Sequence, residues 1–307
     1  MKADTRWRNE GDDFWAYVRV LSESIGYTVR GQGIIRTFTT AQIVAGLESL
    51  GRSTDEVEQT NLGQRLVEYF DYRAYMLNDY AKASLMTAQE ARETFEKVVN
   101  DYTHASREII KKQNGELRAV AMEYDLSHGG SVRVPMNKQK DEKRTPSYLT
   151  GIVNILVSHH LGGRAFDADP RQIPVVDKGG KLHAAMSRRM DGAYPSSVNP
   201  VALWELKEYY YTTTFGSKIS DAVYVSQLDG YERNAIRASS GIDVKLYLMV
   251  DAYGTWWEQG KSYLCRLVDM LNYGTVDELL IGRDCVSELP RIVGEWIATQ
   301  ETTQRFP

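Results

Sequence analysis

Over the first 113 positions, apolar residues recur at three- and four-residue intervals, the period of helices with one buried face. DDFWAYVRVLSESIG (12–26) shows the repeat with acids in its first turn, where a helix dipole favours negative charge. TTAQIVAGLESLGRSTDEV (39–57) reads as two helices: Thr39 or Thr40 caps the first, Gly51 ends it, and Ser53 or Thr54 caps the second. Residues 61–82 and 88–113 continue the helical pattern.

The pattern then shifts to alternation. LRAVAMEY (117–124), a turn at 127–130 and SVRVP (131–135) predict a hairpin. The charged run NKQKDEKRTP (137–146) predicts a linker. Beyond it the order is helix (147–161), strand (172–177), turn (178–180), strand (181–191), strand (200–209) and helix (217–238). A strand (244–252), helix (258–272), short strand (277–281) and final helix (286–300) complete it. Alternating strands and helices predict an α/β (α+β) fold with a mixed sheet flanked by helices, after a mainly helical N-terminal region. The expected division is 1–140, a recognition or dimerisation region ending in the hairpin, and 141–307, a catalytic domain.

Composition narrows the setting. Hydrophobic residues make up 42% of the 307 and charged residues 25%, enough for a sizeable core. The net charge of −4 leaves nucleic acid open as a partner, because binding depends on where positive charge sits. Two cysteines, Cys265 and Cys285, exclude a disulfide framework and an all-cysteine zinc site. With no apolar leader and no run of membrane-spanning length, the expectation is a soluble, cytoplasmic protein.

The chemistry centres on PVALWELKEYY (200–210), an apolar strand carrying Glu205 and Lys207. Residues i and i+2 share a strand face, so these two project together, opposite Trp204 and Leu206. If the strand ending at Asp191 lies alongside, Asp191 sits beside Glu205, and two adjacent carboxylates call for a proton or a cation. Mg²⁺ suits one or two carboxylates while keeping its waters, and Mn²⁺ is expected to substitute. A neighbouring lysine can orient an attacking water and stabilise charge on a phosphate.

Asp191, then Glu205-Leu206-Lys207 beginning fourteen positions on, resembles the signature of the PD-(D/E)-x-K nuclease superfamily, with Met190 where proline often stands. The order of elements over 147–252 is similar to that superfamily's core. The resemblance implies a restriction-endonuclease-like fold and Mg²⁺-dependent DNA cleavage, with Asp191, Glu205 and Lys207 catalytic. At this chain length it points to a Type II restriction endonuclease, a homodimer cutting double-stranded DNA. The alternatives are a non-specific or structure-specific nuclease and a catalytically silent DNA-binding protein on the same fold. Gln227 and Tyr231 resemble the Gln-x-x-x-Tyr of the RecB-type branch, which implies contacts to the DNA backbone beside the site. That branch can place a histidine on the preceding helix, making His160 or His159 a candidate metal ligand. Glu123 or Glu108 could supply a missing carboxylate.

Lys178, Lys181, Arg188 and Arg189, with Arg133, Lys138, Lys140, Lys143 and Arg144, are candidate phosphate contacts. Two further acid-x-Lys triplets compete. Asp141-Glu142-Lys143 lies in the charged run, and Asp243-Val244-Lys245 has Asp229 fourteen residues upstream, on a predicted helix. GTWWEQGK (254–261) does not fit a phosphate loop, so no nucleotide cofactor is expected, and Trp256 and Trp257 read as core or interface residues. Residues 39–57 could alternatively form a DNA-reading helix-turn-helix.

Overall fold

Caps and apolar spacing set the N-terminal helices. The computed structural model describes residues 1–29, 31–113, 115–139, 142–210 and 216–305. It begins with α1 (Thr5–Arg8), α2 (Asp12–Ile25), α3 (Thr40–Ser49) and α4 (Asp55–Gln59). Then α5 (Leu62–Tyr75) continues through a π-helical segment (Met76–Ala81) into α6 (Lys82–Ser84). Thr39 makes a full capping box: Gln42 N–H donates to Thr39 Oγ1 (3.3 Å) and Thr39 N–H donates to Gln42 Oε1 (3.0 Å). An aromatic core of Trp7, Phe14, Trp15, Phe38, Tyr69 and Phe70 holds these helices together. With five residues and three acids in its first turn, α4 has neither the length nor the charge of a DNA-reading helix.

The next stretch departs from the expected pattern. α7 (Ala88–Tyr102) stops eleven residues early, and β1 (Thr103–Gln113) follows directly. Its residues pair antiparallel with β2 (Glu116–Leu126), from Thr103 opposite Leu126 to Gln113 opposite Glu116. This ladder overrides a helical pattern in THASREIIKKQ, since local propensity yields to long-range pairing. The charged run is not a linker either. β3 (Ser131–Gln139) and β4 (Glu142–Pro146) complete a four-stranded antiparallel sheet in the order β1-β2-β3-β4. One face of it buries Tyr124, Leu126, Val132 and Val134 against α7 and α8 (Tyr148–Leu161). The division expected at residue 140 falls between β3 and β4, and Phe95, Tyr124 and Val134 share one core with Ile152, Trp204 and Trp296. Lys140 and Asp141 lie outside the described residues.

A small hairpin follows, β5 (Val175–Lys178) with β6 (Lys181–Ala185), paired as its own two-stranded sheet. The strand expected to run to Asp191 therefore ends at Ala185. Asp191 instead opens a separate short strand, β7 (Gly192–Tyr194). β7 pairs antiparallel with β8 (Ala202–Lys207), and β8 pairs parallel with β9 (Lys245–Val250) after the crossover helix α9 (Ser217–Ser240). A π-helical segment (Tyr253–Gln259) and α10 (Lys261–Tyr273) lead to β10 (Glu278–Ile281), parallel to β9, and α11 (Asp284–Arg305) closes the chain. The sheet order is β10-β9-β8-β7, a mixed sheet with helices on both faces, and the fold is α+β. On one face Trp204, Tyr247, Met249 and Leu280 pack with α8 and α11; on the other Leu248, Val250, Leu279 and Ile281 pack with α10. Arg73 of α5 is fully buried, and its Nη1 donates to Asp269 Oδ2 of α10 at 3.0 Å, tying the N-terminal helices to the sheet domain. Trp256 and Trp257 are buried, as expected. Among the described residues no helix is long and apolar enough to cross a membrane.

Candidate functional site

The β7–β8 pair places the three motif residues together. Asp191 N–H donates to Trp204 O (3.1 Å), extending the ladder by one residue, and Leu206 N–H donates to Asp191 Oδ2 (2.7 Å). The Asp191 side chain is thus pinned alongside β8 at the level of Glu205 and Lys207. Two neighbours make this possible. Met190 is buried against Leu203, Ile236 and Leu246, anchoring the chain just before the acid. Gly192 lies under the Trp204 indole, where a β-carbon would stand 1.9 Å from Cε2. Trp204 in turn stacks on Trp296, ring centroids 5.2 Å apart, so the indole cannot retreat.

Glu205 and Lys207 do share one face, with Trp204 and Leu206 turned toward the α8–α11 core. Both are buried, 6% and 7% exposed, and Lys207 Nζ donates to Glu205 Oε1 at 2.6 Å. The face they share is covered by α9, and α9 supplies a third carboxylate. Asp229, 1% exposed, accepts from Arg188 Nε at Oδ1 (2.8 Å) and pairs with its Nη2 at Oδ2. The same Nη2 lies 3.0 Å from Glu205 Oε2, an ion pair outside hydrogen-bonding geometry. Lys207–Glu205–Arg188–Asp229 is therefore a continuous chain of alternating charge.

The electrostatics follow from this crowding. Asp191 reaches solvent in the wall of a cleft, yet the dense surrounding protein, and secondarily the Glu205 charge, push its carboxyl up to about 7. Burial also raises Asp229, opposed by its bond to Arg188. The Arg188 guanidinium is held above its usual range: burial disfavours its charge, but the bond to Asp229 and the charge of Glu205 outweigh that.

Asp191 and Leu206 form part of one wall of a cleft of about 960 Å³, with Thr150, Phe166, Asp169 and Arg171. The opposite wall is the outer face of the β1–β3 sheet, including Lys111, Glu123 and Arg133. The cleft meets the site from the Leu206 side of β8; Glu205 and Lys207 lie on the other.

Other expected site residues fall elsewhere. Arg188 is bound to Asp229 and Glu205 and does not present itself to a phosphate, whereas Arg189 is exposed. Gln227 and Tyr231 do share a helix face, Gln227 Nε2 donating to Tyr231 OH at 2.9 Å. That face, however, is turned away from Asp229: Gln227 lines a hollow with Trp15, Tyr27 and Arg266, and Tyr231 meets Tyr273. His159 and His160 cluster with His128 and Tyr102, and burial with mutual repulsion lowers both. Glu123 is paired with Arg107 and Arg133 on the sheet, and Glu108 is exposed. Lys178 donates to Ser240 O (2.8 Å) and Lys181 is exposed. The side chains of Lys138, Lys143 and Arg144 lie outside the described residues, as does all of Lys140. In the rival triplet, Lys245 Nζ pairs with Asp243 at 2.7 Å, but Asp229 faces Glu205 and Arg188. Asp229 was overlooked as a partner of Glu205, although Ser226, Asp229 and Arg233 trace the buried stripe of a helix at three- and four-residue spacing.

Does this donor set fit Mg²⁺? Three carboxylates face two cations, an excess of one negative charge, and Asp191 uses only Oδ2 for a hydrogen bond among the described residues. One or two carboxylates with several waters suffice for Mg²⁺. Asp191 fits as a first ligand, and Glu205 fits once Arg188 is held by Asp229 alone. Among the described residues no group of three or more His, Cys, Asp or Glu converges on one point, so the set suits a hydrated ion better than a caged one.

Comparison with known proteins yields little chemistry. Thermosome subunit beta of Thermococcus kodakarensis is 27% identical over 171 residues, which are 55% of this chain and 28% of that protein. The chain thus spans well under a third of this curated relative. No solved structure matches. Residues 1–80 match the domain of unknown function DUF7690. A second match, to the domain of unknown function DUF7687, spans residues 86–296, from α7 through both four-stranded sheets and into α11, and it is to this DUF7687 family that the chain belongs.

Proposed function

We propose that the chain is a metal-dependent nuclease of the PD-(D/E)-x-K type, and more finely a homodimeric Type II endonuclease acting on double-stranded DNA. One observation carries the reading: Asp191 is held beside β8 by the Leu206 amide, next to the Glu205/Lys207 pair that the same strand carries. Asp191 and Glu205 would hold the Mg²⁺, which when bound polarises the phosphodiester and lowers the pKa of an attacking water. Asp191 is oriented by the Leu206 amide. Lys207, 2.6 Å from Glu205, is placed to orient that water and to offset charge building on the phosphate. Arg188 pairs with Glu205, and Asp229 would keep Arg188 paired were Glu205 to hold the ion.

The closed ion network favours a second reading, a DNA-binding protein on this fold with little chemistry, since each Glu205 oxygen already faces a cation. Incubating the protein with plasmid and phage DNAs in Mg²⁺ or in EDTA separates the two. Discrete Mg²⁺-dependent fragments support the site-specific reading and a smear supports a non-specific nuclease. Lys207→Ala is expected to abolish cleavage and preserve binding. DNA left intact with Mg²⁺ and Mn²⁺ would sink the nuclease reading.

A further inference from the structure

The β1–β2 ribbon is longer than the core it serves. Its base is buried through Tyr124 and Leu126, but beyond Ile109 and Ala119 every residue whose side chain is described is exposed. At about 3.4 Å per residue, the four positions of β1 beyond Ile109 carry it roughly 14 Å farther out. A solvated ribbon of this kind is expected to be polar, yet Ile110 is 54% and Leu117 is 75% exposed. The register puts Ile110 opposite Ala119 and Leu117 opposite Lys112, on one face, while Lys111 stands opposite Arg118 on the other. Like charges directly opposed across a ladder are unfavourable, though Glu116 offsets Arg118 here. No ion pair holds Lys111 or Lys112 among the described residues. Residues 103–146, which contain the whole β1–β4 sheet, carry nine lysines and arginines against six acids, a net +3 in a chain of −4. The Lys111 face of the ribbon also walls the cleft that contains Asp191.

We propose that the β1–β2 ribbon is an arm that grips double-stranded DNA and feeds it into the Asp191 cleft. The inference deepens the nuclease reading and rests on it for the identity of the partner. Two strands side by side match the width of a major groove, lysines on both faces meet the flanking phosphates, and Ile110 and Leu117 supply apolar contact to base edges such as thymine methyls. An apolar tip without charge would suit a second copy of the chain; the local positive excess is what selects DNA.

The test is fluorescence anisotropy of the full chain, in EDTA, with a labelled duplex of about two helical turns between roughly 50 and 200 mM KCl. Each phosphate contact contributes about 0.9 to the slope of log K against log salt, so Lys111→Ala/Lys112→Ala should lower that slope by about 1.8. Ile110→Ser/Leu117→Ser should weaken binding at every salt concentration and leave the slope unchanged. Both pairs are exposed, so thermal melts should match the parent. The arm is overturned if the parent fails to bind duplex, or if the lysine variant keeps its slope. It is equally overturned if the serine variant turns a dimer into a monomer by light scattering with DNA affinity intact. Slope loss without any Mg²⁺-dependent cleavage would leave the arm standing and remove the nuclease reading; normal cleavage with an unchanged slope would do the reverse.

Discussion

Removing Arg188 perturbs the candidate site most directly, because its guanidinium stands between two buried carboxylates. In Arg188→Ala, Asp229 (1% exposed) loses its cation, and Glu205 keeps only Lys207. Breaking one partner out of a buried pair costs about 3–5 kcal/mol, and the 30% exposure of the Arg188 side chain puts this case near 3. With a urea dependence of about 3 kcal/mol/M, the unfolding midpoint should fall by about 1 M. The sign with pH follows from Asp229. Burial already lifts its folded-state pKa above the unfolded value, and Arg188 opposes that lift. Without the arginine the lift grows, so the folded variant takes up a proton more readily as pH falls. The deficit is therefore largest at neutral and alkaline pH and shrinks toward acid pH, as Asp229 takes up its proton. Urea titrations of parent and variant at both ends of that range, in EDTA, give the comparison. A loss below about 1 kcal/mol, or one that stays constant with pH, would refute the idea that Arg188 chiefly balances buried carboxylates.

Gly192→Ala places a methyl inside the Trp204 ring, which Trp296 backs; overpacking of this kind costs about 1–3 kcal/mol, with the upper end expected here. A calorimetric melt within 1 °C of the parent would show that β7 yields more easily than the stack implies. Asp191→Asn should remove a pH dependence: the raised folded pKa, about 7, makes the parent lose stability as pH rises from about 4 through 7, and the asparagine variant should not show that loss. Parallel declines in the two proteins, measured in EDTA by urea midpoint against pH, would exclude this origin.

The strand face of Glu205 and Lys207 was legible because the period of two leaves no choice about which residues project together. The helix start at Thr39 or Thr40 was legible for a similar reason, since an N-cap is local chemistry, and it is Thr39 that makes the bond. What could not be read was decided by distant partners. THASREIIKKQ satisfies a helical period, and only its ladder to β2 makes it a strand. The charged run around 137–146 looked like a linker because the edge strand of an antiparallel sheet and a solvated loop can share a composition. Arg188 and Asp229 are forty-one residues apart, and no spacing rule links a turn after a hairpin to the buried side of a crossover helix. Gln227 and Tyr231 failed differently: their mutual spacing was right, but the helix is rotated so that Asp229, between them in sequence, faces the sheet.

That rotation bears on how the site would work. Asp191 stands at a strand end and is reached from the cleft, whereas Glu205 and Lys207 sit on the other side of β8 under α9. A phosphate entering past Lys111 and Arg133 therefore meets Asp191 before it meets the Glu205–Lys207 pair. Recruiting Glu205 to a cation at Asp191 means separating it from Arg188, and the cost falls to the extent that Asp229 keeps the guanidinium neutralised. Asp229 is, on this reading, a counterweight: with it, Arg188 could release Glu205 and remain paired; without it, Glu205 would be the one carboxylate among the described residues left to hold Arg188. On the proposed reading, a carboxylate on α9 that never touches substrate governs how readily the strand carboxylate becomes a ligand.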